Sequence, residues 1–231
     1  MVLSTGLPPL VVLAGGLGLR MGKYTGKLAK ALLPVGGEPF LVTVLRGYRA
    51  AGITEAVLCS GHRAEQLQDA IGDGSALGLR VTHSVEPEPL GPIGALRHAR
   101  PVLPGSYLLT YCDVVPTIDV RAFAAAARSS GRPMVMAVGR APAPAEANVL
   151  LDGARVTAYA KDPPPPGAVA CDRGLLAMER DLLTRHPGTT ESVFYGSLAR
   201  RGELGAFWTD APAADIGTAH RYERHLRTGE K

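Results

Sequence analysis

Short apolar runs alternate along the chain with longer stretches in which apolar positions recur every three or four residues. Residues 10–14, 53–59, 79–85, 107–111 and 134–138 form the runs, each closed by glycine, aspartate or another turn former, and they predict buried strands. Between them, residues 40–51 carry Leu41, Val44, Leu45 and Tyr48 on one helical face. Pro39 stands at the favoured first turn and Gly52 at the stop. Helices are likewise predicted over 63–71, 94–100 and 120–128, the last capped by Asp119. Strand–helix–strand alternation of this kind predicts an α/β fold with a mainly parallel sheet and right-handed crossovers.

The pattern changes after residue 140. Residues 148–151 and 156–159 alternate around Asp152-Gly153, a hairpin signal. Residues 163–166 are all proline and predict a surface loop in polyproline form. Strands over 168–178 and 204–209 follow, with helices at 181–185, 192–200 and 219–227.

The first strand ends in a glycine-rich loop. Leu13 and Ala14 lead into Gly15 and Gly16, then Gly18, with Arg20 close behind and Lys30 ten residues further on. Such a loop exposes consecutive backbone N–H groups at a strand's carboxyl end, where open α/β sheets bind ligands. Two familiar phosphate loops are excluded. The dinucleotide fingerprint G-x-G-x-x-G meets Met21 at its last glycine, and the P-loop fails because Gly22-Lys23 and Gly26-Lys27 are followed by Tyr24 and Leu28.

Composition narrows the partners. With 46% hydrophobic and 20% charged residues the 231-residue chain is globular and suits one domain, residues 1–231. The net charge of +4 lacks a dense basic block, and aromatic content is 5%, so a small polyanion fits better than nucleic acid. The apolar stretch 7–19 lacks the charged start of a signal peptide, and no run reaches membrane-spanning length. Cys59, Cys112 and Cys171 are widely spaced with no metal-ligand or disulfide pattern, which predicts reduced thiols in a cytoplasmic protein. His62, His83 and His98 lie on separate elements and read as surface or core histidines. On the residues alone, Asp113 after a buried strand reads equally as a metal ligand or a turn aspartate, and Asp215 before the last helix reads as a cap.

The sequence GG-x-G-x-R, followed by Lys30 just ahead of L-L-P-V-G-G, resembles the signature of the sugar-1-phosphate nucleotidyltransferases. Leu19 stands where a threonine is usual, and Ala29 where a proline is usual. The E-P-L-G segment and D-I-G-T at 215–218 extend the resemblance over nearly the whole chain. The nearest groups are heptose 1-phosphate guanylyltransferases and glucose-1-phosphate cytidylyltransferases; uridylyltransferases of amino sugar 1-phosphates share the compact size.

The resemblance implies a Rossmann-like three-layer fold of the nucleotide-diphospho-sugar transferase type, with a mixed, mainly parallel central sheet. Residues 9–140 would form a nucleotide-binding half and 141–231 a sugar-phosphate-binding half. The implied reaction converts a nucleoside triphosphate, GTP or CTP being favoured, and a sugar 1-phosphate into a nucleotide sugar and pyrophosphate. Arg20 and Lys30 would be catalytic, and Asp113 and Asp215 would hold Mg2+. Leu13, Ala14, Gly15, Gly16, Gly18, Ser60, Gly61, Glu86 and Gly91 would bind the nucleotide, and Lys161, Asp172 and Gly174 the sugar phosphate. The resemblance admits a homodimer. Cys112 replaces a usual glycine, Ala160 a usual glutamate, and Pro92-Ile93 a usual T-G or T-A. These departures keep open an alternative: a catalytically impaired regulatory protein that binds nucleotide sugars on the same fold.

Overall fold

The computed structural model describes residues 6–115, 117–212 and 215–228. The chain runs β1 (Leu10–Leu13), β2 (Pro34–Val35), β3 (Glu38–Pro39), α1 (Phe40–Ala51), β4 (Glu55–Ser60), α2 (Ala64–Ile71), β5 (Arg80–Val85), α3 (Gly91–Ala99) and β6 (Ser106–Tyr111). It continues through α4 (Val120–Ser129), β7 (Met134–Arg140), β8 (Val149–Asp152), β9 (Arg155–Tyr159), β10 (Ala170–Glu179), α5 (Leu182–Arg185), α6 (Glu191–Arg200), β11 (Leu204–Trp208) and α7 (Ala219–Thr228).

Among the described residues, nine strands form one sheet in the order β5-β4-β1-β6-β10-β7-β11-β9-β8. β5, β4, β1 and β6 pair in parallel. β10 inserts antiparallel between β6 and β7, and β11 pairs in parallel with β7. The sheet is therefore mixed. The chain leaves β1 toward β4 and β5, then crosses back to lay β6 on β1's other side. That reversal opens a crevice at the strands' carboxyl ends.

β1 explains the layering. All of its residues are buried, as its unbroken apolar run predicts. Leu10 and Val12 pack into one core with Phe40, Leu45 and Tyr48 of α1 and Phe123 of α4. Val11 and Leu13 pack into a second core with Leu96 of α3 and Phe194 and Leu198 of α6. Period-two alternation thus divides the apolar side chains between two helical layers. Each fully buried Leu or Phe contributes roughly 1.5–3 kcal/mol.

Local signals act as expected at several ends. Gly52 closes α1 with φ 107°, and the Asp119 carboxylate accepts from Arg121 N and Ala122 N, each at 2.9 Å, at the start of α4. The β2–β3 hairpin lies outside the sequence expectations, its strands being too short to show alternation; Gly36 (φ 62°) and Gly37 (φ 89°) turn it. α3 starts at Gly91, three residues earlier than periodicity suggested, with Pro92 in its first turn. α6 starts at Glu191, and the Thr190 hydroxyl accepts from Val193 N at 3.4 Å. Cys59, Cys112 and Cys171 are free thiols, all buried. Among the described residues no helix is long and apolar enough to cross a membrane.

Candidate active site

Ala14 N donates to Cys59 O at 2.8 Å, so the chain stays in register with β4 until the glycines begin. Gly18 then turns with φ 65°, and a methyl group there would lie 2.9 Å from Thr25 Cγ2 and 3.2 Å from Lys30 Cβ. Glycine is needed for both backbone angle and space. The segment 19–25, expected as open loop, winds into a kinked 3-10 helix whose exposed Arg20 lines the crevice.

Helix α2 clasps the rest of this loop. Arg63 stands before its first residue in the left-handed region (φ 60°) and donates to Thr25 O, Gly26 O and Leu28 O at 2.6–2.7 Å. Gln66 Oε1 accepts from Ala29 N at 2.8 Å, and Gln66 Nε2 donates to Lys27 O at 3.0 Å. The backbone leading to Lys30 is thereby fixed.

Asp113 and Asp215 come together although about a hundred residues separate them. An isolated antiparallel bridge joins Val114 to Asp215, and Ile216 N donates to Asp113 O at 3.0 Å. Lys30 Nζ reaches Asp113 Oδ2 at 2.5 Å and Gly217 O at 3.4 Å. Asp215 Oδ1 accepts from Gly217 N at 2.7 Å, and Arg221 Nη1 donates to Asp215 Oδ1 (3.1 Å) and Oδ2 (2.8 Å). Arg221 Nη2 also pairs with Glu146. The cap reading of Asp215 fails, because Thr218 Oγ1 accepts from Arg221 N at 3.3 Å in the first turn of α7.

Gly217 lies close against both carboxylates. A methyl group there would lie 2.7 Å from Asp215 Oδ1 and 3.4 Å from Asp113 Oδ2. Among the described residues no group of three or more His, Cys, Asp or Glu side chains could by itself hold a metal ion. Two carboxylates that both approach one glycine suit a hard cation that completes its shell with phosphate oxygens and water.

At the other end of the crevice, Tyr111 OH donates to Glu191, and Lys161 Nζ pairs with the same carboxylate. Lys161 Nζ lies 5.8 Å from the centre of the Tyr111 ring. Glu191 was not among the sequence-predicted residues; an acid in the first turn of a helix reads as an ordinary dipole partner. Asp172 lies behind this end rather than in the crevice wall. Its carboxylate accepts from Gly174 N at 2.7 Å, and Thr110 Oγ1 donates to Gly174 O at 2.9 Å. Burial pushes the Asp172 carboxyl up to about 6.

Glu86 is 9% exposed and accepts from Leu90 N at 3.3 Å; burial raises its carboxyl above the usual range. Methyl groups at Gly15 and Gly61 would lie 2.7 and 2.6 Å from Glu86 Oε1, so both glycine turns close tightly on this carboxylate. Beside it the Ser60 hydroxyl is buried without a hydrogen-bond partner. Leu13, Gly15, Gly16, Gly18, Arg20, Lys30, Glu86, Gly91, Asp113, Lys161, Glu191 and Gly217 line one cleft of about 550 Å3. Ala14, Ser60, Gly61, Asp172, Gly174 and Asp215 stand outside its lining. Ser197, His186 and Glu203 also adjoin one another, with His186 Nδ1 3.0 Å from Ser197 Oγ, but His186 is 3% exposed and away from the cleft.

A three-layer α/β fold with a glycine turn and paired carboxylates at the carboxyl edge of a mixed sheet is the nucleotide-diphospho-sugar transferase fold. The chain belongs to the MobA-like NTP transferase domain family, which matches residues 10–189. It is 38% identical over 116 residues to N-acetylmuramate alpha-1-phosphate uridylyltransferase of Neisseria meningitidis serogroup B, covering 48% of this chain and 49% of that protein. It is 28% identical over 223 residues to mannose-1-phosphate guanylyltransferase of Mycobacterium tuberculosis, covering 93% of this chain and 62% of that one. The chain thus spans about half to three fifths of these relatives' lengths. HddC from Yersinia pseudotuberculosis shares the fold, with a TM-score of 0.82 at 21% identity, covering 97% of this chain and all of that one.

Proposed function

We propose that this protein transfers a nucleotidyl group from a nucleoside triphosphate to a sugar 1-phosphate, giving a nucleotide sugar and pyrophosphate. The observation that carries the reading is the convergence of Lys30, Asp113, Asp215 and Gly217 beside the glycine turn of one cleft. In this reading the triphosphate lies along Gly15–Gly18, with residues 9–140 serving the nucleotide and 141–231 the sugar phosphate.

The chemistry follows from charge. A sugar-phosphate oxygen attacks the α-phosphorus as the bond to pyrophosphate breaks, so two anions must be brought together in line. Lys161 draws in the attacking phosphate, and Glu191 orients that ammonium from α6 and accepts from sugar hydroxyls. Lys30 moves from Asp113 to the α-phosphate as negative charge develops there, and Arg20 steadies the departing pyrophosphate. Asp113 and Asp215 would hold one Mg2+, which when bound neutralises phosphate oxygens. No general base is required, because a phosphate monoester is already largely ionised at neutral pH. For the base, Glu86 favours guanine, whose ring N–H and amino group both donate to a carboxylate.

Pyrophosphate release is measured across a matrix of nucleoside triphosphates and sugar 1-phosphates, with and without chelator. The expected result is release that needs both substrates and a divalent cation, greatest with GTP. Nucleotide-sugar binding without any turnover across the matrix would instead favour the regulatory alternative.

A further inference from the structure

Both carboxylates beside Gly217 are already held by cations of the chain. Lys30 lines the cleft, so an incoming phosphate can draw it off Asp113. Arg221 differs. It comes from the first turns of α7, stands outside the cleft lining, and forks one nitrogen across both oxygens of Asp215. Its other nitrogen is tied to Glu146, in the 3-10 turn that follows β7. The guanidinium therefore bridges two carboxylates, of which Asp215 alone adjoins Gly217.

We propose that Arg221 is the resident counter-ion of Asp215, which a divalent cation must displace, and that Glu146 is the partner onto which Arg221 retires. The inference rests on the reading of Asp113 and Asp215 as a cation-holding pair. An arginine cannot lose its charge at any ordinary pH, so it yields the carboxylate only by moving. A charge-assisted contact shared by both carboxylate oxygens is strong enough to compete. Glu146 lowers the cost of that move by keeping the guanidinium paired throughout. The free protein is thereby poised to bind bare cation weakly.

The test is Mn2+ binding to the full chain without nucleotide, read as loss of the free-ion electron paramagnetic resonance signal. Arg221→Gln is expected to bind Mn2+ about ten-fold more tightly than the native protein, on the scale of one charged hydrogen-bonded contact. Arg221→Lys, which keeps the charge and loses the second nitrogen that reaches Glu146, moves the same way by less. Arg227→Gln makes the same charge change further along α7, where Arg227 pairs with Glu223, and leaves Mn2+ affinity unchanged. Glu146→Gln weakens Mn2+ binding in the native background and has no effect beside Arg221→Gln.

An Arg221→Gln affinity equal to or weaker than native overturns the proposal. So does an Arg227→Gln gain of equal size, which would mark general electrostatics. Asp215→Asn separates this failure from failure of the underlying reading. If Asp215→Asn binds Mn2+ as the native protein does, the carboxylate pair is not the cation site and both fall. If Asp215→Asn abolishes binding while Arg221→Gln changes nothing, only the role of Arg221 is lost.

Discussion

Gly217 concentrates the logic of the site in one missing side chain. A Cβ there would lie 2.7 Å from Asp215 Oδ1, so Gly217→Ala pushes that carboxylate aside without adding charge. Turnover is expected to fall about 100-fold, the scale of losing one well-placed electrostatic contact, while circular dichroism stays native. Unchanged turnover would show that the placement of the Asp215 carboxylate does not matter. Asp172 gives a second prediction. Its carboxyl is held up to about 6, above the value of an unfolded chain, so the folded state binds more protons between about pH 4 and pH 6. Stability from this group is full below that window and lost as pH rises through it. Asp172→Asn keeps an acceptor for Gly174 N and should flatten this part of the urea-midpoint profile; a profile identical to native would place the titration elsewhere.

Lys30, Asp113 and Asp215 were singled out in the sequence by motifs that resemble a known family, and the structure brings them together. Glu191 and Arg221 were not. Glu191 meets Tyr111 eighty residues away, and Arg221 reaches Glu146 seventy-five residues away. Such contacts come from the sheet's strand order, which no local pattern carries.

At the scale of elements, α2 restrains the loop that bears the cations. Arg63 keeps a left-handed backbone, unusual for a side chain of its size, and three carbonyls reward it. Arg63→Ala removes those contacts, and a loss of about 1.5–3 kcal/mol is expected from denaturant unfolding. Faster amide exchange over residues 25–30 should accompany it. Exchange confined to α2 itself would mean that the clasp does not order the loop. Most element boundaries were readable because apolar periodicity and end signals agree, as at Phe40–Ala51 and Gly52. The departures are short-range: β2 and β3 have two residues each, and the 3-10 helix at Leu19–Thr25 has little apolar periodicity.

For the whole molecule, β10 is the joint. It pairs with β6 on one side and β7 on the other, so residues serving the two proposed substrates share one sheet. Its antiparallel direction is not predictable from its composition, which is why periodicity alone gave a simpler sheet. Binding at a cleft that draws on both parts should stabilise the fold as a unit. At a hundred times its dissociation constant, the matched triphosphate with Mg2+ is expected to add about 2.7 kcal/mol. In a chain of this size that raises the melting temperature by about 5–10 °C. A scan over bases identifies the preferred one, and no shift with any of them would argue against a nucleotide site.

The buried thiols turn this same architecture into its own reporter. Burial pushes Cys59 and Cys112 up to about 12, and raises Cys171 as well, so hardly any reactive thiolate exists in the closed form. Cys59 sits in the core under α3, and Cys112 in the opposite core, where it also lines the cleft. Alkylating reagents should therefore modify Cys59 only as fast as that side of the sheet opens, while Cys112 is also approached from the cleft. Comparing the two labelling rates, with and without nucleotide, would separate opening of the α3 side from access through the cleft.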